Sequence, residues 1–143
     1  MGWRGRRPAV GRQGRCQAGR LNDLVSVLFA DRPPTRVLSS RAVRCLQTVG
    51  PLCTRLGIRP EVVDHLFEGA SRNTTTLIRD LAADPETSPV VLCSHSDVIF
   101  DVVRDLVSDG AEISGGRECG YASTWELTIG GGRIVHARYH PTP

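Results

Sequence analysis

Ser39-Ser40-Arg41-Ala42-Val43-Arg44-Cys45-Leu46-Gln47-Thr48 is the stretch on which the reading of this chain turns. Arg36 to Leu38 before it reads as a short strand, and Ser39 or Ser40 can cap a helix running from about Arg41 to Leu56, closed by Gly57. In α/β sheets ligands collect where strands end and helices begin, because helix N-terminal N–H groups favour anions. Arg44 lies about one turn into that helix, and helical side chains lean toward the N-terminus. Its guanidinium can therefore reach back over the helix mouth and grip an oxyanion with two hydrogen bonds. A salt bridge to a nearby carboxylate is the other common use of such an arginine; the flanking Ser-Ser and Gln47-Thr48 favour the anion.

A second segment repeats the arrangement. Pro89-Val90-Val91-Leu92-Cys93 is an unbroken apolar run that predicts an interior parallel strand buried on both faces. Ser94-His95-Ser96 follows, and then a helix from Asp97 to Val107 with Val98, Ile99, Val102, Val103 and Leu106 as its apolar positions. His95 can donate to a phosphoryl oxygen or titrate near neutral pH, and the small Ser96 leaves backbone amides open to an anion. A metal reading of His95 with Asp97 fails for want of further ligands: His65, His136 and His140 lie in other elements and no His or Cys spacing matches a metal motif. No cofactor is expected. Between the two segments, Glu68 follows Leu66-Phe67; apolar neighbours can hold such a carboxyl protonated as a general acid, although a surface carboxylate near the next helix reads equally well.

Outward from these segments the pattern stays α/β. Ala18, Leu21, Leu24, Val25 and Leu28 share one helical face from Gly14 onward, ended by Asp31-Arg32-Pro33-Pro34. Glu61 to Asp64 reads as extended, and Arg72 to Ala83 as a helix with Leu77, Ile78 and Leu81 inward. After a loop from Gly110 to Gly120, Ser123 to Ile129 and Arg133 to Tyr139 alternate as strands around Gly130-Gly131-Gly132, a turn suited to a hairpin. Strands alternating with helices predict a three-layer α/β/α sandwich with a mostly parallel sheet and a C-terminal β-hairpin.

At 143 residues the chain is expected to fold as one domain, 14–143, behind a poorly ordered Arg-rich arm, 1–13. All 18 basic residues are arginine, and six of them precede the first acid, Asp23, so the net charge of +3 belongs to the arm. With Trp3 as its single aromatic, the arm is a poor nucleic-acid surface. The five cysteines form no C-x-x-C pair and there is no apolar leader, which argues against a disulfide framework and for a cytoplasmic setting. No run approaches the roughly twenty apolar residues of a membrane span. Oligomeric state is not legible.

The tandem of Ser-Ser-x-x-x-Arg-x-x-Gln-Thr and Ser-His, with an acid between, resembles the histidine phosphatase superfamily, the phosphoglycerate-mutase-like proteins. Gly14-x-x-Gln17-Ala18 and the leucine-rich helix after it resemble the first helix of that superfamily, Arg7-Pro8-Ala9 a segment before it, and Trp125-Glu126-Leu127 the closing hairpin of compact members. The resemblance implies phosphate binding by Arg44, His95 and Ser96, with Glu68 and His95 as catalytic residues. It also implies a nucleophilic histidine in an N-terminal Arg-His-Gly or Arg-His-Ala motif, and here no histidine precedes His65. The chain therefore reads as an N-terminally truncated member, either of an ordinary phosphatase whose start lies upstream or of a degenerate one. The short Glu68 to His95 connection leaves little room for the helical insert of the larger sugar-phosphate mutases, so the chain is similar to the compact phosphohistidine-phosphatase branch and mutase activity is not expected.

The expected function is a phosphomonoester or phosphohistidine hydrolase, inactive or impaired as written, acting on a phosphorylated small molecule or a phosphohistidine protein. The alternative is a non-enzymatic module that binds a phosphorylated ligand or an acidic partner. A further alternative is a fragment that does not fold stably, because loss of a central strand exposes hydrogen-bonding edges on both neighbours.

Overall fold

The computed structural model of the chain describes residues 21–67, 69–84, 89–115 and 124–141. The Arg-rich arm, the start of the first helix, Ser123 and Glu68 lie outside them. Helix α1 covers 21–28. Strand β1 (Arg36–Ser39), α2 (Val43–Leu56), β2 (Glu61–Val62), a 3-10 turn (Asp64–Leu66), α3 (Ser71–Ala83), β3 (Val90–Cys93), α4 (Ser96–Ser108), β4 (Glu112–Ser114), β5 (Thr124–Gly130) and β6 (Arg133–His140) follow in order.

The described strands form two three-stranded sheets, β2-β1-β3 and β4-β6-β5. The first is wholly parallel, with Leu38 opposite Leu92 and Ser39 opposite Cys93. In the second, β4 runs parallel to β6 and β5 antiparallel to it. Gly131 and Gly132 join β5 to β6 at φ of 62° and 78°, the left-handed values a two-residue hairpin turn requires and glycine adopts without a Cβ clash.

Side-chain alternation along the strands builds the layers. Val91 and Cys93 face a cluster made by Leu21 and Val25 of α1, Val37 of β1, and Val49, Leu52 and Cys53 of α2. Leu92 faces the opposite cluster of Ile78 and Ala82 on α3, Val98, Val102 and Leu106 on α4, and Ile134 on β6. Helices thus cover both faces of the parallel strands, which is the α/β/α arrangement expected.

Several local expectations need correction. α2 begins at Val43 rather than Arg41, and neither serine is its N-cap: Ala42 holds that position without a side-chain cap, while the Ser40 hydroxyl accepts the Ala42 N–H at 3.3 Å. The extended segment at Glu61 stops at Val62 and tightens into the 3-10 turn. On α3 the buried positions are Thr74, Thr75, Ile78 and Ala82; Thr75 turns inward because its hydroxyl donates to Asp105 of α4 at 2.9 Å, a polar contact between helices that an apolar-periodicity argument does not register. β3 is parallel as expected but half-buried throughout, since among the described strands it pairs with β1 alone. β4 arises inside the stretch expected to be loop.

Candidate active site

Parallel pairing of β1 with β3 at this register brings the two motifs together. Both strands end at the same sheet edge, and the Ser40 N–H donates to the Cys93 carbonyl at 3.0 Å as the chains leave the sheet. Ser40 Oγ then lies 2.9 Å from His95 Nε2 in a buried hydrogen bond spanning 55 residues of sequence. Ser39 donates to the Ser40 carbonyl at 2.9 Å, and Ser94 Oγ donates to the Leu66 carbonyl at 2.6 Å. These serines tie three loops to one another at the end of the sheet.

Arg44 is the second residue of α2 and is 5% exposed. His95 immediately precedes α4 and is 2% exposed. Ser96 opens α4 and is half-buried. The two helices, of fourteen and thirteen residues, both begin at this edge, so their first-turn amides and positive dipole ends face the same region. Glu68 lies outside the described residues, but its neighbours touch the mouth of α4: Phe67 makes an edge contact with His95 at 5.7 Å between ring centroids, and the Gly69 N–H donates to Asp97 Oδ2 at 3.4 Å. Arg41 lies 3.9 Å over the Phe67 ring and 3.4 Å from Asp64. Phe67 is thereby clamped between a guanidinium and the His95 imidazole.

Two cysteines at this edge were not singled out by the sequence argument. Cys45, in the first turn of α2, is fully buried, with its sulfur 3.7 Å from the Ser94 carbonyl and 4.0 Å from His95 Nε2. Cys93 closes β3 and its sulfur lies 3.7 Å from the Cys45 carbonyl. The hydrogen bond from the Cys93 thiol pulls the Cys45 thiol from 9.0 down to about 5; burial opposes this, and donation from His95 with the charges of His95 and Arg44 reinforces it. The same bond, with burial, pushes Cys93 well above its ordinary value. The signal for these residues was adjacency: Cys45 follows Arg44 directly, and Cys93 directly precedes Ser94-His95.

The arrangement gathers donors and cationic groups and suits an anion. Among the described residues no three His, Cys, Asp or Glu side chains gather to hold a metal. His136 is engaged by Ser114 at 3.1 Å and His140 by Glu126 at 3.0 Å, both in the second sheet.

No protein-family model matches the chain, and no curated protein sequence is similar to it. Solved structures are. A structure from Agrobacterium tumefaciens assigned as the phosphohistidine phosphatase SixA is 24% identical, covers 76% of this chain and 70% of its own, and superposes with a TM-score of 0.59. Mycobacterial hydrolase 1 is 18% identical over 70% of this chain and 69% of its own, TM-score 0.58. Mycobacterial glucosyl-3-phosphoglycerate phosphatase, solved with inorganic phosphate, is 19% identical over 70% of each chain, TM-score 0.54. The parallel β1 and β3, the helices on both faces and these superpositions agree, and the chain has the fold of the histidine phosphatase superfamily.

Proposed function

We propose that the edge formed by the ends of β1 and β3 is a phosphoryl-binding site of the histidine phosphatase type, taking a phosphorylated small molecule or a phosphohistidine protein. The observation that carries this reading is the 2.9 Å contact between Ser40 and His95, which unites at one point the Ser-Ser…Arg motif and the Ser-His motif. A phosphoryl group here would be gripped by the Arg44 guanidinium, by His95 and by the amide of Ser96 at the mouth of α4. That a protein of the same fold was solved with inorganic phosphate lends support. Glu68, which follows Leu66-Phe67 in the sequence, is the candidate general acid toward a leaving oxygen.

Hydrolysis in the superfamily begins with attack by a histidine that these residues do not supply, since none precedes His65. Phosphoryl binding is the activity proposed for the residues gathered at this edge. Two measurements test it. Isothermal titration with inorganic phosphate should show binding that Arg44→Ala abolishes; no binding to the wild type, or binding lost only when the residues before Leu21 are removed, refutes the pocket and favours the basic arm. An assay with a generic aryl phosphate should show no turnover above background. Robust turnover abolished by His95→Ala would require a replacement nucleophile.

A further inference from the structure

We propose that Cys45 and Cys93 form a redox modification site at the phosphoryl-binding edge, closed to a disulfide by a hydroperoxide, and that this bond tightens anion binding by Arg44 and His95. The bond itself is independent of the functional reading above; its effect on the anion rests on it.

The geometry has three parts. The Cys93 sulfur lies 3.7 Å from the Cys45 carbonyl and the Cys45 sulfur 3.7 Å from the carbonyl of Ser94, the residue after Cys93, so the two cysteines meet where the first turn of α2 and the last residue of β3 converge. His95 Nε2 lies 4.0 Å from the Cys45 sulfur. The helix N-terminus, a neighbouring imidazole and a neighbouring guanidinium are the surroundings that generate a nucleophilic thiolate. Cys45 is fully buried while Cys93 is partly exposed, so the oxidant must be small and reach the pair from the Cys93 side. Hydrogen peroxide meets that condition, and glutathione disulfide does not.

The chemistry balances in two steps. The Cys45 thiolate attacks one peroxide oxygen; an S–O bond forms, the O–O bond breaks, the sulfur is oxidised to a sulfenic acid and hydroxide departs, the peroxide being reduced. The Cys93 thiol gives its proton to hydroxide and its sulfur attacks the sulfenic sulfur; the S–S bond forms, the S–O bond breaks and the oxygen leaves as hydroxide. The low partner attacks and the high partner resolves, in keeping with the unequal sharing of protons between them.

The consequence follows from charge. Deprotonation of reduced Cys45 sets a negative charge beside Arg44 and His95, the two groups proposed to hold the phosphoryl oxygens. A disulfide is neutral and releases both. Removing a unit charge from within about 10 Å at an effective dielectric near 20 tightens binding on the order of tenfold. Linkage demands the reciprocal effect: bound phosphate must raise the Cys45 pKa.

The test uses the full chain, reduced and then treated with stoichiometric hydrogen peroxide, followed by intact mass, peptide mapping and phosphate titration. The expected result is loss of two hydrogens, a single Cys45 to Cys93 cross-link with Cys16, Cys53 and Cys119 still alkylatable, and tighter phosphate binding in the oxidised form. Glutathione disulfide should leave the pair reduced. Cys93→Ser should stop at a Cys45 sulfenic acid trapped by dimedone; the wild-type peptide map decides the bond even if that variant fails to fold. A map joining other cysteines, or stable sulfinic acid at Cys45 in the wild type, overturns the assignment. A correct cross-link with unchanged or weaker phosphate binding overturns the tuning. Absence of phosphate binding in both forms refutes the functional reading and the tuning with it, while the map still decides the bond.

Discussion

Replacing Ser40 by alanine isolates the contact on which the site depends. The Ser40 hydroxyl is fully buried and serves two partners, His95 Nε2 at 2.9 Å and the Ala42 N–H at 3.3 Å. Withdrawing a hydrogen-bond partner from a buried polar group costs about 1–3 kcal/mol, and the longer contact to an amide just before a helix adds about 0.5–1 kcal/mol in the manner of a lost cap. Ser40→Ala should therefore lower stability by about 2–3 kcal/mol. Ser39→Ala is the control: equally buried, its hydroxyl makes one bond, to the adjacent Ser40 carbonyl, and its loss should cost about 1 kcal/mol. Urea titration of the three proteins, with unchanged m-values as the check that the denatured state is unaltered, measures the difference. Equal losses for the two variants, or a Ser40→Ala loss within the ~0.5 kcal/mol of an ordinary surface change, would show that the serine does not bridge the two motifs. Ser40→Ala should in addition weaken phosphate binding by loosening the His95 ring, whereas Ser39→Ala should leave it nearly intact.

Further outcomes follow from other contacts. The thiolate ultraviolet absorbance of Cys45 should titrate with a midpoint near 5 and vanish in Cys45→Ser; because its folded value is depressed, the stability it contributes is present above 9.0 and declines as pH falls toward about 5, so the wild type should lose its stability advantage over Cys45→Ser across that interval. Gly115 has φ of +81° and a Cβ built on it would lie 2.4 Å from the Tyr139 carbonyl oxygen; Gly115→Ala should cost about 1–3 kcal/mol, read by thermal unfolding. Arg36 and Glu61 join β1 to β2 through a 2.9 Å ion pair that is about half exposed on both sides. A double-mutant cycle should return less than about 1 kcal/mol, weakening in high salt.

Much of the fold was legible because local patterns were strong. Arg36 to Leu38, Val90 to Cys93, the helices ending at Leu56 and Ala83, and the hairpin around Gly131-Gly132 stand within a residue or two of where alternation, helical spacing and glycine turn chemistry put them. The misreadings share one cause. Thr75 is buried because Asp105 of another helix accepts its hydroxyl, β4 exists because β6 lies beside it, and β3 is half-buried with β1 as its partner among the described strands. Each depends on a partner remote in sequence, and periodicity sees only near neighbours.

The same division holds for the site. Sequence alone determined which chemical groups stand at the ends of strands and the beginnings of helices: the serines, Arg44, Cys45, Cys93 and His95, each fixed by local propensity. Only the tertiary structure decided that they meet, because parallel pairing of β1 with β3 aligns Ser39 with Cys93 and so carries Ser40 onto His95 and Cys45 beside Cys93. A shift of that register by one residue would send every side chain of the strand to the opposite face, with no change in the sequence of either motif.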